Sequence, residues 1–212
     1  MDLTPTQDCI FRSLHPTARR HIRAIDKLPA CVRPITDPKA EKQISALISE
    51  PMERTGGTVS RVDWANRITF SAIHPTLSRI VGLYAADKDD GERLLAFAWG
   101  RIHGRYAQYS TAASTRNDNF RIPMGYALAW DLICWAKQQE VCTFDFGGIT
   151  QGSHDNEDDP LGGISDFKRY FTTNRKMVSS EWIHEPRPQF AKAVDVAGEL
   201  VKRAVNCVRL GR

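Results

Sequence analysis

Two charged residues stand where the surrounding pattern calls for something else. In Gly162-Gly-Ile-Ser-Asp-Phe-Lys-Arg-Tyr170, a helix of about 100° per residue puts Ile164, Phe167 and Phe171 on one apolar stripe. Lys168 falls at the border of that stripe, four residues after Ile164 and three before Phe171. Such a lysine either packs its stem on the stripe and sends its ammonium to water, or is a cation held in a partly dry cleft, able to stabilise negative charge on a substrate or transition state. The second residue is Asp145. Val141 to Phe146 alternates Cys142, Phe144 and Phe146 against Val141, Thr143 and Asp145 and stops at Gly147-Gly148, as a half-buried or central strand does. Asp145 therefore lies at a strand's carboxyl end, the edge at which layered α/β domains bind ligands.

The elements that must position these groups can be followed along the chain. Residues 1–10 carry no clear pattern and are free to be disordered. Residues 11–33 hold Arg12, Arg19, Arg20, Arg23, Lys27 and Arg33 against the single acid Asp26, with Leu14, Ala18, Ile22 and Ile25 at helical spacing. This is a basic amphipathic helix ended by Pro29, its charged face either solvated or suited to phosphates. A short strand follows over Cys31 to Thr36, and Pro38 opens a helix that stops at Gly56-Gly57. Trp64, Ile68 and Ser71-Ala72 mark another short helix. From Ser78 the pattern turns to β: Arg79 to Ala86, Arg93 to Ile102 and Tyr106 to Ala113, separated by Asp/Gly turns, form an antiparallel meander. Leu95-Ala-Phe-Ala-Trp99 makes the middle strand central, and Trp99, Tyr106 and Tyr109 read as core. Pro123 stands at an expected first helical position, opening a strongly apolar helix that leads into the Val141 strand. Lys176 to His184 alternates as a strand, and from Pro188 a helix sets Phe190, Val194, Ala197, Val201, Ala204 and Val208 on one face. Strands entering a mixed, mostly antiparallel sheet with helices on both sides give a three-layer α/β plan.

Composition bounds the possibilities. At 212 residues, 42% hydrophobic and 25% charged, the chain can bury a real core and is not a disordered polymer. A balance of 29 basic to 25 acidic residues permits a polyanionic partner without requiring one. The five cysteines are scattered, without Cys-x-x-Cys or paired histidines, which speaks against a disulfide framework or a zinc site. His154-Asp-Asn-Glu-Asp-Asp159 lacks the glycine and spacing of a calcium loop; it reads as a solvated loop or, between two glycine pairs, a lid. No metal is expected. With no hydrophobic signal core and no apolar run of about 18 residues, the expectation is a soluble, reducing, cytoplasmic protein.

Three segments together resemble a known family. Trp130-Asp-Leu-Ile-Cys-Trp-Ala-Lys137, the strand Phe144-Asp-Phe-Gly-Gly148, and Gly162-Gly-Ile-Ser-Asp-Phe-Lys-Arg-Tyr-Phe171 look like the carboxy-terminal signature of the Fem-type aminoacyltransferases, a branch of the GNAT acyltransferase fold. The basic helix Thr17-Ala-Arg-Arg-His-Ile-Arg-Ala24 is similar to the opening of one GNAT unit, and the likeness covers roughly residues 15 to 190. It implies a GNAT-like transferase domain over 1–187 followed by a basic amphipathic helix over 188–212. It also implies transfer of an acyl or aminoacyl group from an activated ester or thioester to an amine, with charge stabilisation by Lys168 and substrate shaping by Phe167. Tyr109 and Ser110 fall where a GNAT sheet splays to expose backbone N–H groups, and Gly147 and Gly148 line the same edge. Asp145 can accept the amine's proton, orient the amine, or cap its own loop.

The donor is open. One reading is aminoacyl-tRNA, its phosphates on Arg19, Arg20 and Arg23. Another is acyl-CoA or an acyl carrier protein, its phosphates at Arg116, Arg121 and Gly125, where a helix start offers free N–H groups. Here Arg121-Ile-Pro-Met-Gly125-Tyr-Ala127 is one residue longer than the usual acyl-CoA motif, and Pro123 removes a donor. Neither reading needs a permanently bound cofactor; the acceptor is an amine of a small molecule or peptide. Family members that build peptidoglycan bridges usually carry two GNAT units, and this chain has length for one, which speaks against a cell-wall precursor. A third reading is a non-catalytic RNA- or protein-binding GNAT module.

Overall fold

The meander after Ser78 becomes the middle of a five-stranded sheet. The computed structural model describes residues 1–55, 62–87, 91–116, 122–156, 159 and 161–177. Strands β1 (Ala30–Pro34), β2 (Ser78–Asp87), β3 (Gly91–His103), β4 (Tyr106–Ser114) and β5 (Thr143–Asp145) lie side by side in chain order, so the apolar β3 is central as expected. The first four pair antiparallel, whereas β5 runs parallel to β4. Parallel neighbours need a crossover, and helix α5 (Gly125–Gln138) supplies it.

Successive side chains of a strand face opposite ways, and each face of this sheet has its own core. Val81, Leu83, Ala96 and Ala98 are buried with residues of α1 (Gln7–Ser13), α2 (Pro16–Ile25) and α5. Ile80, Leu94, Phe97 and Trp99 are buried with residues of α3 (Glu41–Thr55) and α4 (Trp64–Ile73). The sheet lies between two helical layers, a three-layer α/β fold that the alternation of elements had predicted. Helix α6 (Gly162–Arg169) joins the first core through Phe167 and, just past its end, Phe171. These elements belong to one compact unit, Met1–Arg175. Among the described residues no helix is long and apolar enough to cross a membrane.

Several expectations change. Residues 1–10 are ordered: Leu3 N–H donates to the Cys142 carbonyl at 2.9 Å, Phe144 N–H donates to the Met1 carbonyl at 2.9 Å, and Leu3 is buried. This short segment satisfies the outer edge of β5, which would otherwise expose unpaired backbone groups. Helix α5 begins at Gly125 with Met124 as its cap, two residues later than Pro123 suggests. Tyr106 is exposed rather than core, because it stands beside the Gly104 hairpin, beyond the helical layers. Lys176 and Met177 lie in no strand; the remainder of the strand expected there, the helix from Pro188, the domain boundary at 187 and Cys207 fall outside the described residues.

Candidate active site

The parallel pair β4–β5 is short by construction. Its register runs Tyr106↔Thr143, Ala107↔Phe144, Gln108↔Asp145 and stops, while β4 continues to Ser114 paired to β3 alone. Two local features drive the parting. Gly147 has φ +75°, a left-handed conformation that turns the chain after Phe146, and Asp145 Oδ1 accepts the Gly147 N–H at 2.8 Å. On the other side, Trp99 faces Thr111 and Gly100 faces Tyr109, so Ser110 is the extra residue of a β-bulge. The two strands open into a wedge at the carboxyl end of β5.

Helix α6 is strapped across this region by the loop that precedes it. Ser165 Oγ accepts the Thr150 N–H at 2.9 Å, and Asp166 Oδ2 accepts the His154 N–H at 2.9 Å. Arg169 donates to the carbonyls of Thr150 and Gly152 and to Asp166 Oδ1. With the helix fixed, Lys168 Nζ donates to the Gly148 carbonyl at 2.6 Å. The side chain is half-buried; desolvation draws the ammonium below its usual range, and the nearby Asp145 charge partly offsets this. A half-buried stem with its ammonium on a backbone carbonyl accommodates both readings of Lys168.

Aromatic rings line the same wedge. Phe167 lies 4.9 Å from the Tyr126 ring, 6.2 Å from Tyr109 and 6.5 Å from Phe146, and a Cβ on Gly125 would sit 3.5 Å from it. Burial raises the pKa of the Tyr109 phenol above its ordinary value, and pushes that of Tyr126 up to about 12. The structure thus gathers Asp145, Gly147, Gly148, Phe167, Lys168, Tyr109 and Gly125 in one place. Tyr126 and Phe146 join them; both show only as apolar helix and strand positions in the sequence.

Other candidates lie elsewhere or take another role. Ser110 Oγ accepts from Arg101 Nε at 2.9 Å, and that guanidinium stacks on Trp99, so the hydroxyl is engaged with the opposite core. Arg116 is exposed and uses its backbone N–H on Glu50; Arg121 lies outside the described residues. Among the described residues the start of α5 has no side-chain cap bond at Met124. Arg19, Arg20 and Arg23 line a separate shallow groove of about 480 Å³ with Pro16, Ala24 and Lys27. His154 binds Asp166 Oδ2 through Nδ1 at 2.8 Å, which makes the acidic loop a brace for α6.

Comparison with solved structures bears on the fold. The chain superimposes on the crystal structure of FemX with a TM-score of 0.65 at 14% identity, covering 81% of this chain and 57% of that one. The chain has a GNAT-like three-layer fold. It spans little more than half the FemX length, so the likeness reaches the fold and not the whole protein. Looser matches are glucosamine-6-phosphate N-acetyltransferase from Arabidopsis thaliana (9% identity, 73% of this chain, 99% of that, TM-score 0.49) and a possible acetyltransferase from Clostridium difficile 630 (8%, 73%, 99%, 0.48). No family model and no curated protein matches the sequence.

Proposed function

We propose that the chain is an N-acyltransferase that works in the β4–β5 wedge. The observation that carries this reading is the Lys168 ammonium, half-buried and hydrogen-bonded to the Gly148 carbonyl where the two strands part. An acceptor amine attacks the carbonyl carbon of an activated acyl group, the carbonyl π pair moves to oxygen, and a tetrahedral oxyanion forms. Lys168 exchanges its bond to Gly148 for one to that oxyanion, aided by β4 N–H groups that have no β5 partner beyond Gln108. A fixed donor of this kind is worth about 3 to 4 kcal/mol at the transition state. Collapse expels the leaving thiolate or alcoholate, which takes up the proton the amine releases. Asp145, held by Gly147, orients the amine, and Phe167 forms the wall against which the acyl group lies.

The donor favoured here is an acyl thioester, of CoA or of an acyl carrier protein, its phosphates at the start of α5, where Met124 gives no side-chain cap and Gly125 lies next to Phe167. A second reading, aminoacyl-tRNA, is favoured by the groove of Arg19, Arg20, Arg23 and Lys27 and by the sequence resemblance to Fem enzymes. The test is transfer of label from ¹⁴C-acetyl-CoA, and separately from ¹⁴C-aminoacyl-tRNA, to a mixture of diamines, amino sugars and short peptides. Amide-stable label from the thioester supports the first reading, and label from tRNA alone supports the second. No label from either, with RNA or a protein retained specifically, overturns both.

A further inference from the structure

The apolar stripe of α6 does not end where the core ends. Phe171 is 1% exposed, Phe167 is half-buried, and Ile164, on the same stripe, is 54% exposed. Leu161, one turn earlier, is 52% exposed and Ile149 is 38% exposed. Hydrogen bonds fix Ile149 beside the helix, because Gly148 on one side of it accepts from Lys168 and Thr150 on the other donates to Ser165. Single exposed leucines need no explanation. Three branched side chains bordering the line from Lys168 to Ser165, with the ammonium at one end, form a wall with a polar terminus.

We propose that this wall binds an unbranched aliphatic chain whose carbonyl or carboxylate end meets Lys168, so that the group transferred is a medium-chain acyl group. This deepens the acyltransferase reading and rests on it. The occupant follows from charge complementarity: the ammonium spends one of its three N–H donors on the Gly148 carbonyl and can turn another to a carbonyl or carboxylate, while a small acyl group would leave the wall bare. Seven residues separate Leu161 from Lys168, about 10 Å at a rise of about 1.5 Å each, which suits a chain of about eight carbons. Full burial of a methylene improves affinity about fourfold, and a one-sided wall gives about twofold.

The test is calorimetric titration of the full chain with octanoate and acetate, which needs no catalysis. Octanoate is expected to bind at least about tenfold more tightly than acetate, and Lys168→Met to weaken both, because a carboxylate carries the charge of the oxyanion that an uncharged thioester carbonyl lacks. In the double variant Leu161→Ser, Ile164→Ser the preference is expected to fall below about threefold, with an unchanged circular dichroism spectrum, since both side chains are exposed. Equal binding of the two acids, or a preference that survives in the double variant, overturns the proposal. Sedimentation velocity supplies a further arm: a dimer dissociated by the double variant would show that a second copy covers the wall, and this too overturns it. Wall-dependent octanoate binding without transfer from octanoyl-CoA to any amine would remove the enzymatic reading, and with it the transferred group, and leave the wall as a binding site only. Acetyl transfer without wall-dependent binding would remove this inference alone.

Discussion

Gly162→Ala puts the strap between the loop and α6 to a direct test. A Cβ at Gly162 would lie 2.0 Å from the Ser153 carbonyl oxygen and 2.4 Å from its carbon, against an ordinary contact that begins at 3.4 Å. The obstacle is backbone, so no rotamer change relieves it, and the oxygen must retreat by about 1.4 Å. That retreat strains the bonds from Thr150 N–H to Ser165, from His154 N–H to Asp166 and from Arg169 to the Gly152 carbonyl. Overpacking costs about 1 to 3 kcal/mol, and each of the bonds lost adds about 1 kcal/mol. Replacing glycine by alanine in a helix returns up to about 1 kcal/mol. With one of these bonds lost the net expectation is a loss of about 1 to 3 kcal/mol, read in urea as a midpoint lowered by about 0.5 to 1.5 M at a slope of about 2 kcal/mol per M. Hydrogen exchange at the Thr150 and His154 amides should accelerate in parallel, and transfer should fall because Gly148, the Lys168 acceptor, lies two residues before Thr150. A variant as stable as the parent, with unchanged exchange at both amides, would refute the close loop–helix contact and the role given to it.

The remaining predictions concern the brace, the core and the basic groove. His154 has its pKa raised by its hydrogen bond to Asp166, with Asp155 adding to the effect, so its contribution is full below the unfolded value of 6.5 and is lost as pH rises through the folded value. Asp166, drawn down to about 2 by bonds from His154 and Arg169, contributes above its unfolded value of 3.8 and ceases to as pH falls toward about 2. Amides 150–156 should therefore be better protected at pH 6 than at pH 8 after correction for intrinsic exchange; equal protection would contradict the brace. Phe144→Ala removes a fully buried ring and should cost about 3 to 5 kcal/mol in urea denaturation, whereas a loss below about 1 kcal/mol would show that β5 is not anchored by it. If aminoacyl-tRNA is the donor, Arg19→Gln, Arg20→Gln, Arg23→Gln should lower the log–log salt slope of tRNA binding by about 2 to 3. An unchanged slope would remove these residues from any RNA contact.

What could be read from the sequence was local. Glycine and aspartate turns between apolar runs mark the meander, and the continuous run Leu95–Trp99 marks its centre. The periodicity that sets Lys168 on the edge of the α6 stripe finds the group that reaches Gly148. Periodicity gives direction and not the extent of the neighbouring layer, which is why Ile164 was expected inside and is outside. Long-range pairs leave no such trace. The Arg101 bond to Ser110 depends on a bulge, the His154 bond to Asp166 crosses twelve residues without a repeat, and the three residues that edge β5 are too few to alternate. Asp145 was legible as a strand end, and its bond to the Gly147 N–H came from turn geometry that only the backbone discloses.

The central claim is that the Lys168 ammonium stabilises charge as the acyl group changes hands. Single-turnover transfer by the parent chain and by Lys168→Met, with donor affinity and thermal midpoint measured on the same samples, tests it most directly. The expected result is a rate lowered by about 10² to 10³ with donor binding and fold retained. An undiminished rate in a folded variant would contradict it.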